Sequence, residues 1–292
     1  MQRHRSVQSG VRYRYLVREI ACYAKPMTYS ILARDPETGE LGFAVASMFF
    51  AAAAVVPHIR GPRGAVATQS YLNPLWGTEG IERLNAGEDP EVVLADVVSR
   101  DSGASHRQCH MIDIDGRIAQ YTGEDCGPWA GHERGPDVSA AGNILTGPAV
   151  VKDMVTAYLD SAGQALPYRL LAALDAAEAA GGDSRGRQSA GLVISRGEDW
   201  RYLDLRVDDH SEPLVELRRL LDVSEEAFQP LMPHLPTRDS FSRMTDPEEV
   251  MKDIEEMIAR RTAAGKTSQS RQWARPGSNG YRPPPTEASV AE

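Results

Sequence analysis

The 292-residue chain has little cysteine, little lysine and no long apolar run. Its three cysteines, Cys22, Cys109 and Cys126, are too few and too scattered for a disulfide framework, which points to a reducing, cytoplasmic setting. No window approaches the roughly 20 apolar residues that span a bilayer, so no membrane partner is expected. A basic surplus is also missing. With 32 Lys+Arg against 41 Asp+Glu and a net charge of −9, the balance argues against a broad nucleic-acid footprint. No Walker loop, dinucleotide fingerprint or HExxH motif occurs, and no repeat of 20 to 50 residues is visible. His106, His110 and Asp113 would not share one face of a strand, because faces alternate with period two. Neither a metal nor a cofactor is expected. Cys109 and Cys126 lack any motif pairing them with His110 or His132 and read as buried thiols.

The lysines number only four, Lys25, Lys152, Lys252 and Lys266, a bias that hints at a GC-rich genome in which upstream frames stay open by chance. Residues 1–26 carry Arg3, Arg5, Arg12, Arg14, Arg18 and Lys25 against the single acid Glu19. Leu16-Val17 runs straight into Arg18-Glu19, which is not a secretory signal. The preferred reading is a start at Met27, with a pro-segment or targeting arm as the alternative.

What is present is ordinary globular material, 41% hydrophobic and 25% charged, in a length that suits one large domain or two small ones. Strands are predicted over Thr28–Ala33, Leu41–Phe50, Ala53–Ile59, Gly64–Gln69, Gln108–Ile114, Arg117–Thr122, Ser189–Ile194 and Trp200–Val207. Asp35-Pro36-Glu37-Thr38-Gly39 reads as a turn and Asp115-Gly116 as a type I′ hairpin. Asn73-Pro74 and Asp89-Pro90 each combine a cap with a first-turn proline and open helices. Further helices follow Thr146-Gly147-Pro148 and span Leu166–Ala180, while Gly127–Val138 reads as a loop and Ser139–Leu145 as a short small-residue stretch. Strands, two helices, strands, two helices and strands describe an α+β body with antiparallel sheets. Beyond Asp208, helices are expected at Pro213–Leu221, Ser224–Met232 and Asp246–Ala264. The resulting division is an extension over 1–26, a main domain over 27–208, a helical appendix over 209–264 and a disordered tail over 265–292.

Thr28 heads the first strand. If synthesis starts at Met27, a residue as small as threonine permits removal of that methionine and exposes a free α-amine. The amine, with an unperturbed pKa of about 8, can then take the proton of the hydroxyl beside it. Nucleophile and base would sit in one residue.

Thr28 belongs to a succession of segments: Met27–Asp35, Gly42-Phe43-Ala44-Val45-Ala46-Ser47, Gly64-Ala65-Val66-Ala67-Thr68-Gln69, Asn73-Pro74, Trp129-Ala130-Gly131, Gly142-Asn143-Ile144-Leu145 and Gly182–Ala190. In this order they resemble a bacterial family known as domain of unknown function 1028, grouped with the N-terminal nucleophile (Ntn) hydrolases. The resemblance covers Met27 to about Val207. It implies a four-layer αββα sandwich of two antiparallel sheets and, by superfamily analogy, Thr28 attacking a small-molecule amide, imide or lactam. It supplies no substrate. Asn143 is the candidate oxyanion donor and Ser47 a group that would orient the amine, while Thr68 and Gln69 would border the pocket. Arg187 and Gln188 would grip an acidic substrate end, with a buried Asp183–Arg185 ion pair as the alternative use of that loop. A homo-oligomer is expected. The alternative reading is a catalytically silent scaffold whose residues 211–264 resemble, in their first helix only, a peptidoglycan-binding module.

Overall fold

The computed structural model describes residues 28–243 and 246–268. The extension over 1–26, Met27, Cys22 and nearly all of the tail expected over 265–292 lie outside the described residues. The chain divides into two compact units, the first ending at Leu220 and the second beginning at Leu221.

In the first unit, β1 (Thr28–Arg34) and β2 (Leu41–Ser47) form a hairpin, followed by α1 (Ala52–Val55), β3 (Pro57–Ile59), β4 (Gly64–Ser70), α2 (Pro74–Asn85) and α3 (Pro90–Ser99). Then come β5 (Arg107–Asp113), β6 (Ile118–Thr122), β7 (Ala130–Gly135), β8 (Val138–Asn143), α4 (Ala149–Asp160), α5 (Leu166–Ala179), β9 (Ser189–Ser195) and β10 (Leu203–Val207). The strands make two antiparallel sheets, a six-stranded one in the order β10-β9-β2-β1-β8-β7 and a four-stranded one in the order β3-β4-β5-β6. Helices α4 and α5 cover the outer face of the larger sheet, and α2 and α3 that of the smaller. This is the expected α+β sandwich in four layers.

The expected caps are in place: Asn73 Oδ1 accepts from Leu75 N at 3.1 Å and Asp89 Oδ1 from Glu91 N at 2.8 Å, each ahead of a first-turn proline. Period-two alternation sorts each strand between two environments. Leu32, Phe43 and Val45 of the larger sheet meet Ala65, Ala67, Ile112 and Ile118 of the smaller, forming the apolar part of the inter-sheet layer. Val66, Cys109 and Met111, one residue out of phase, pack instead with Trp76, Ile81 and Val97 beneath α2 and α3. Close contact on the other side needs Gly42, where an added Cβ would lie 2.7 Å from Leu170 Cδ1 of α5.

Three local expectations are corrected. The strand expected over Ala53–Ile59 is helix α1 followed by the short β3, because the alanine run favours a helical turn. The loop expected over Gly127–Val138 contains β7, an edge strand whose Ala-Gly-His-Glu-Arg-Gly sequence has no apolar alternation but pairs throughout with β8. The β5–β6 hairpin is not type I′. Gly116 alone adopts a left-handed φ (81°) and its N–H bonds Asp113 O, so a type I turn precedes a left-handed glycine.

Helix α6 (Pro213–Ser224) runs across the division between the units. In the second unit, α7 (Phe228–Leu231) is shorter than expected, while α8 (Pro247–Ala263) follows the Asp246 cap closely. Val250 and Arg261 are buried and Ile254 and Ile258 half-buried, giving the expected helical stripe. Arg261 pairs with Asp222 at 2.6 Å and Glu225 at 2.8 Å. No helix among the described residues is long and apolar enough to cross a membrane.

Candidate active site

Strand β1 lies between β2 and β8, so its first residue meets the ends of both neighbours. Thr28 is paired with Asn143 of β8, and the β1–β2 register, Tyr29 opposite Ala46, brings Ser47 beside it. All three side chains point into the inter-sheet layer. Thr28 Oγ1 lies 3.4 Å from Ser47 Oγ, and Asn143 Nδ2 lies 3.4 Å from Thr28 O. Thr28, Ser47 and Asn143 are buried. At this end the inter-sheet layer changes from apolar to polar.

The polar end is a chain of hydrogen bonds whose direction can be assigned. Gln108 Nε2 lies 3.0 Å from Gly131 O and 2.9 Å from Gly142 O. Carbonyls only accept, so the nitrogen of Gln108 must face them and its Oε1 must face away. That oxygen accepts from Gln69 Nε2 at 2.8 Å and Asn143 Nδ2 at 3.1 Å. Gln69 Oε1 therefore receives the Ser30 hydroxyl proton at 2.6 Å, and Ser30 Oγ can only accept from His110 Nε2 at 3.0 Å. His110 Nδ1 is then the acceptor for Ser139 Oγ at 2.8 Å, and Ser139 accepts from Gln120 Nε2 at 2.9 Å. Gln120 Nε2 is anchored as Gln108 is, 2.7 Å from Glu133 O. The network fixes a proton on Nε2 of His110, and the neutral ring leaves Nδ1 as the acceptor that Ser139 meets. Burial, and secondarily the positive charge of nearby His132, holds the pKa of His110 down to about 3.

Two glutamines of the smaller sheet thus bind main-chain carbonyls of the larger one. Replacing Gln108 with leucine leaves two carbonyls and two amide donors without this partner. At about 1–3 kcal/mol for each buried unsatisfied group, urea unfolding is expected to show a loss of about 3 kcal/mol or more. A loss below about 1 kcal/mol would mean that these bonds do not hold the sheets together.

Backbone strain marks the same end. Ile144, directly after Asn143, has φ 51°, and Ser70, directly after Gln69, has φ 66°. A left-handed β-branched residue is uncommon and costly, and such residues concentrate at functional sites.

Of the residues singled out in the sequence, Thr28, Ser47, Asn143 and Gln69 converge and three do not. Thr68 is buried on the opposite face, its Oγ1 donating to Asn73 O at 3.3 Å, because adjacent strand residues point apart. Arg187 pairs with Glu212 at 2.9 Å and Glu178 at 3.5 Å. Gln188 Nε2 bonds Asp209 at 3.0 Å, although its main-chain N–H reaches Ser47 O at 2.9 Å. The alternative reading of that loop is the one observed: Arg185 and Asp183 form a buried ion pair at 3.2 Å, and Asp183 also accepts from Met48 N. Asn143 differs from expectation in polarity. Both hydrogens of its Nδ2 already face acceptors, so the atom it leaves open is an acceptor, Oδ1. Ser30, Gln108, His110, Gln120 and Ser139 were not singled out for this site. Their signal was polar residues at i and i+2 in apolar strands, as in Thr28/Ser30 and Gln108/His110.

Two cavities border this region. One of about 580 Å³ lies between α3 and strands β6 and β7, with Gln120 and His132 in its wall. Another of about 550 Å³ is lined by Tyr71, His106, Arg107 and Asp125, just beyond the Gln69–Gln108 pair.

An αββα sandwich with a polar cluster at the head of its central strand defines the class. The family model described as a family of unknown function, DUF1028, matches residues 28–217, and the chain belongs to that family. A crystal structure of a Silicibacter pomeroyi protein, assigned to the same family, is similar to it at 31% sequence identity with a TM-score of 0.68. That match covers 75% of this chain and 100% of the other. No functionally curated protein matches the chain.

Proposed function

We propose that the protein is an N-terminal nucleophile hydrolase that cleaves a small amide, imide or lactam through Thr28. The observation that carries this reading is Thr28 at the head of the central strand, its hydroxyl 3.4 Å from Ser47 Oγ and its main chain against Asn143. With the preceding residues removed, the α-amine takes the hydroxyl proton as Oγ1 attacks the carbonyl carbon. The C–N bond then breaks, the departing nitrogen receives that proton, and an ester remains on Thr28. Water attacks the ester carbonyl while the same amine accepts its proton. The ester C–O bond breaks, and the proton returns to Oγ1. Ser47 orients the reacting pair. We further propose a cytoplasmic setting, in keeping with Cys109 and Cys126 as free buried thiols.

The test is intact-mass and N-terminal analysis of the protein made in its own host, before and after treatment with an acylating β-lactone. A chain that begins at Thr28 and gains one adduct on that residue is expected. An active sample in which Thr28 is internal would overturn the assignment.

A further inference from the structure

Asn143 Oδ1 is the feature that the proposed reaction leaves unexplained: a buried amide oxygen with no hydrogen-bond partner among the described residues. Leaving such an acceptor unpaired is costly, and each instance in a folded protein requires a reason. Turning the amide over would not relieve it. Asn143 Nδ2 faces two oxygens, Thr28 O and Gln108 Oε1, and an exchange would set oxygen against oxygen at both. Nor can Gln108 turn to accommodate it, because its nitrogen is held by Gly131 O and Gly142 O. The polarity of Asn143 is therefore set from the main chain of β7 and β8, through Gln108.

The amide that carries the open oxygen lies beside Thr28, its Nδ2 3.4 Å from Thr28 O. In an extended strand the N–H and C=O of one residue point to the same side. Thr28 O is directed at Asn143, so the Thr28 nitrogen faces β8 as well. We infer that Asn143 Oδ1 is the acceptor that docks the freed α-amine of Thr28, and that Gln108 is the positioning residue that keeps this oxygen turned toward it. The inference rests on the hydrolase reading above. One amine hydrogen donates to Oδ1, which leaves the nitrogen lone pair to be aimed at Thr28 Oγ1. When the amine takes the hydroxyl proton, the same oxygen stabilises the ammonium that results. Asn143 thus serves the base and not the oxyanion.

The two roles give opposite results in the pH dependence of Thr28 acylation by a β-lactone, followed by intact mass. The alkaline rise of that rate reports deprotonation of the amine. The other ionisable groups packed around this end are unchanged by the variants: His110 on β5, His132 on β7, the Asp183–Arg185 pair, and Glu178, which accepts from Tyr29 Oη at 2.8 Å and pairs with Arg187. An acceptor favours the charged amine, so Asn143→Ala is expected to move the midpoint of the rise down by about one pH unit. The isosteric Asn143→Asp is expected to move it up, because a carboxylate holds the ammonium more strongly. Gln108→Leu is expected to shift it in the same direction as Asn143→Ala. Asn143→Asp keeps the side-chain shape but sets an oxygen against Thr28 O and Gln108 Oε1; Gln108→Leu, which leaves Asn143 itself intact, carries the test if the Asn143 variants fail to fold. Loss of rate with an unmoved midpoint in both Asn143 variants would overturn the inference and restore the oxyanion role, while leaving the nucleophile in place. A wild-type chain whose Thr28 has no free amine would instead overturn the hydrolase reading itself.

Discussion

Thr28→Ala is expected to lower β-lactone acylation and amide turnover by about 10⁴-fold or more, the scale of losing a covalent nucleophile. The change removes a hydroxyl and a methyl group from one residue at a strand head, outside the chain of bonds that runs from Gln108 to Gln120. Unfolding free energy should accordingly stay within about 1 kcal/mol of the parent protein. Thr28→Ser keeps the hydroxyl and the amine and should retain most of the rate. Intact-mass time courses on the three proteins, with urea unfolding alongside, make the comparison. Adduct formation by the alanine variant at a rate near the parent's would show that some other group is the nucleophile.

The second large effect is on acid stability. His110 has a folded pKa near 3, against about 6.5 when unfolded. Between these values the unfolded chain binds a proton that the folded chain excludes, so stability falls as the pH drops from about 6.5 toward 3. From pH 7 to 5 this single group accounts for about 2 kcal/mol of lost stability. The physical reason is burial, with the nearby charge of His132 second: a second proton would place a charged ring in the dry layer between the sheets. His110→Gln, which can still donate to one serine and accept from the other, should lose about 2 kcal/mol less than the parent over that interval. Urea titrations at pH 7, 6 and 5 measure the difference. Parallel curves would mean that His110 does not govern the acid response.

Much of the fold could be read from local signals. The hairpin β1–β2, the capped helices α2, α3 and α8, and the order of strands and helices follow from turn residues, first-turn prolines and apolar periodicity. What escaped was β7, whose sequence carries no strand pattern because one edge is covered by β8 and its neighbouring carbonyls by glutamines from the other sheet. The type I′ expectation at Asp115-Gly116 failed for a related reason. Asp113 gathers Asp115 N and Arg117 N on its carboxylate and so selects a different turn.

At the site, Thr28 stood out from its position beside Met27 and from the order of the surrounding motifs. Ser47, Asn143 and Gln69 stood out as polar residues at or beside strand ends. Thr68 shared that description and was wrong by one residue, since only the phase of a strand decides which face a side chain takes. The sequence by itself determined which residues are polar on which alternation, where the caps and turns fall, and that Thr28 heads a strand. Tertiary structure alone decided that β1 runs between β2 and β8, that Gln108 and Gln120 reach across to carbonyls of the opposite sheet, and that Asn143 is held with its nitrogen toward Gln108 and its oxygen unpaired. Those outcomes depend on the pairing of strands far apart in the chain. Hydrogen-bond polarity is a property of the closed network, which no single segment encodes.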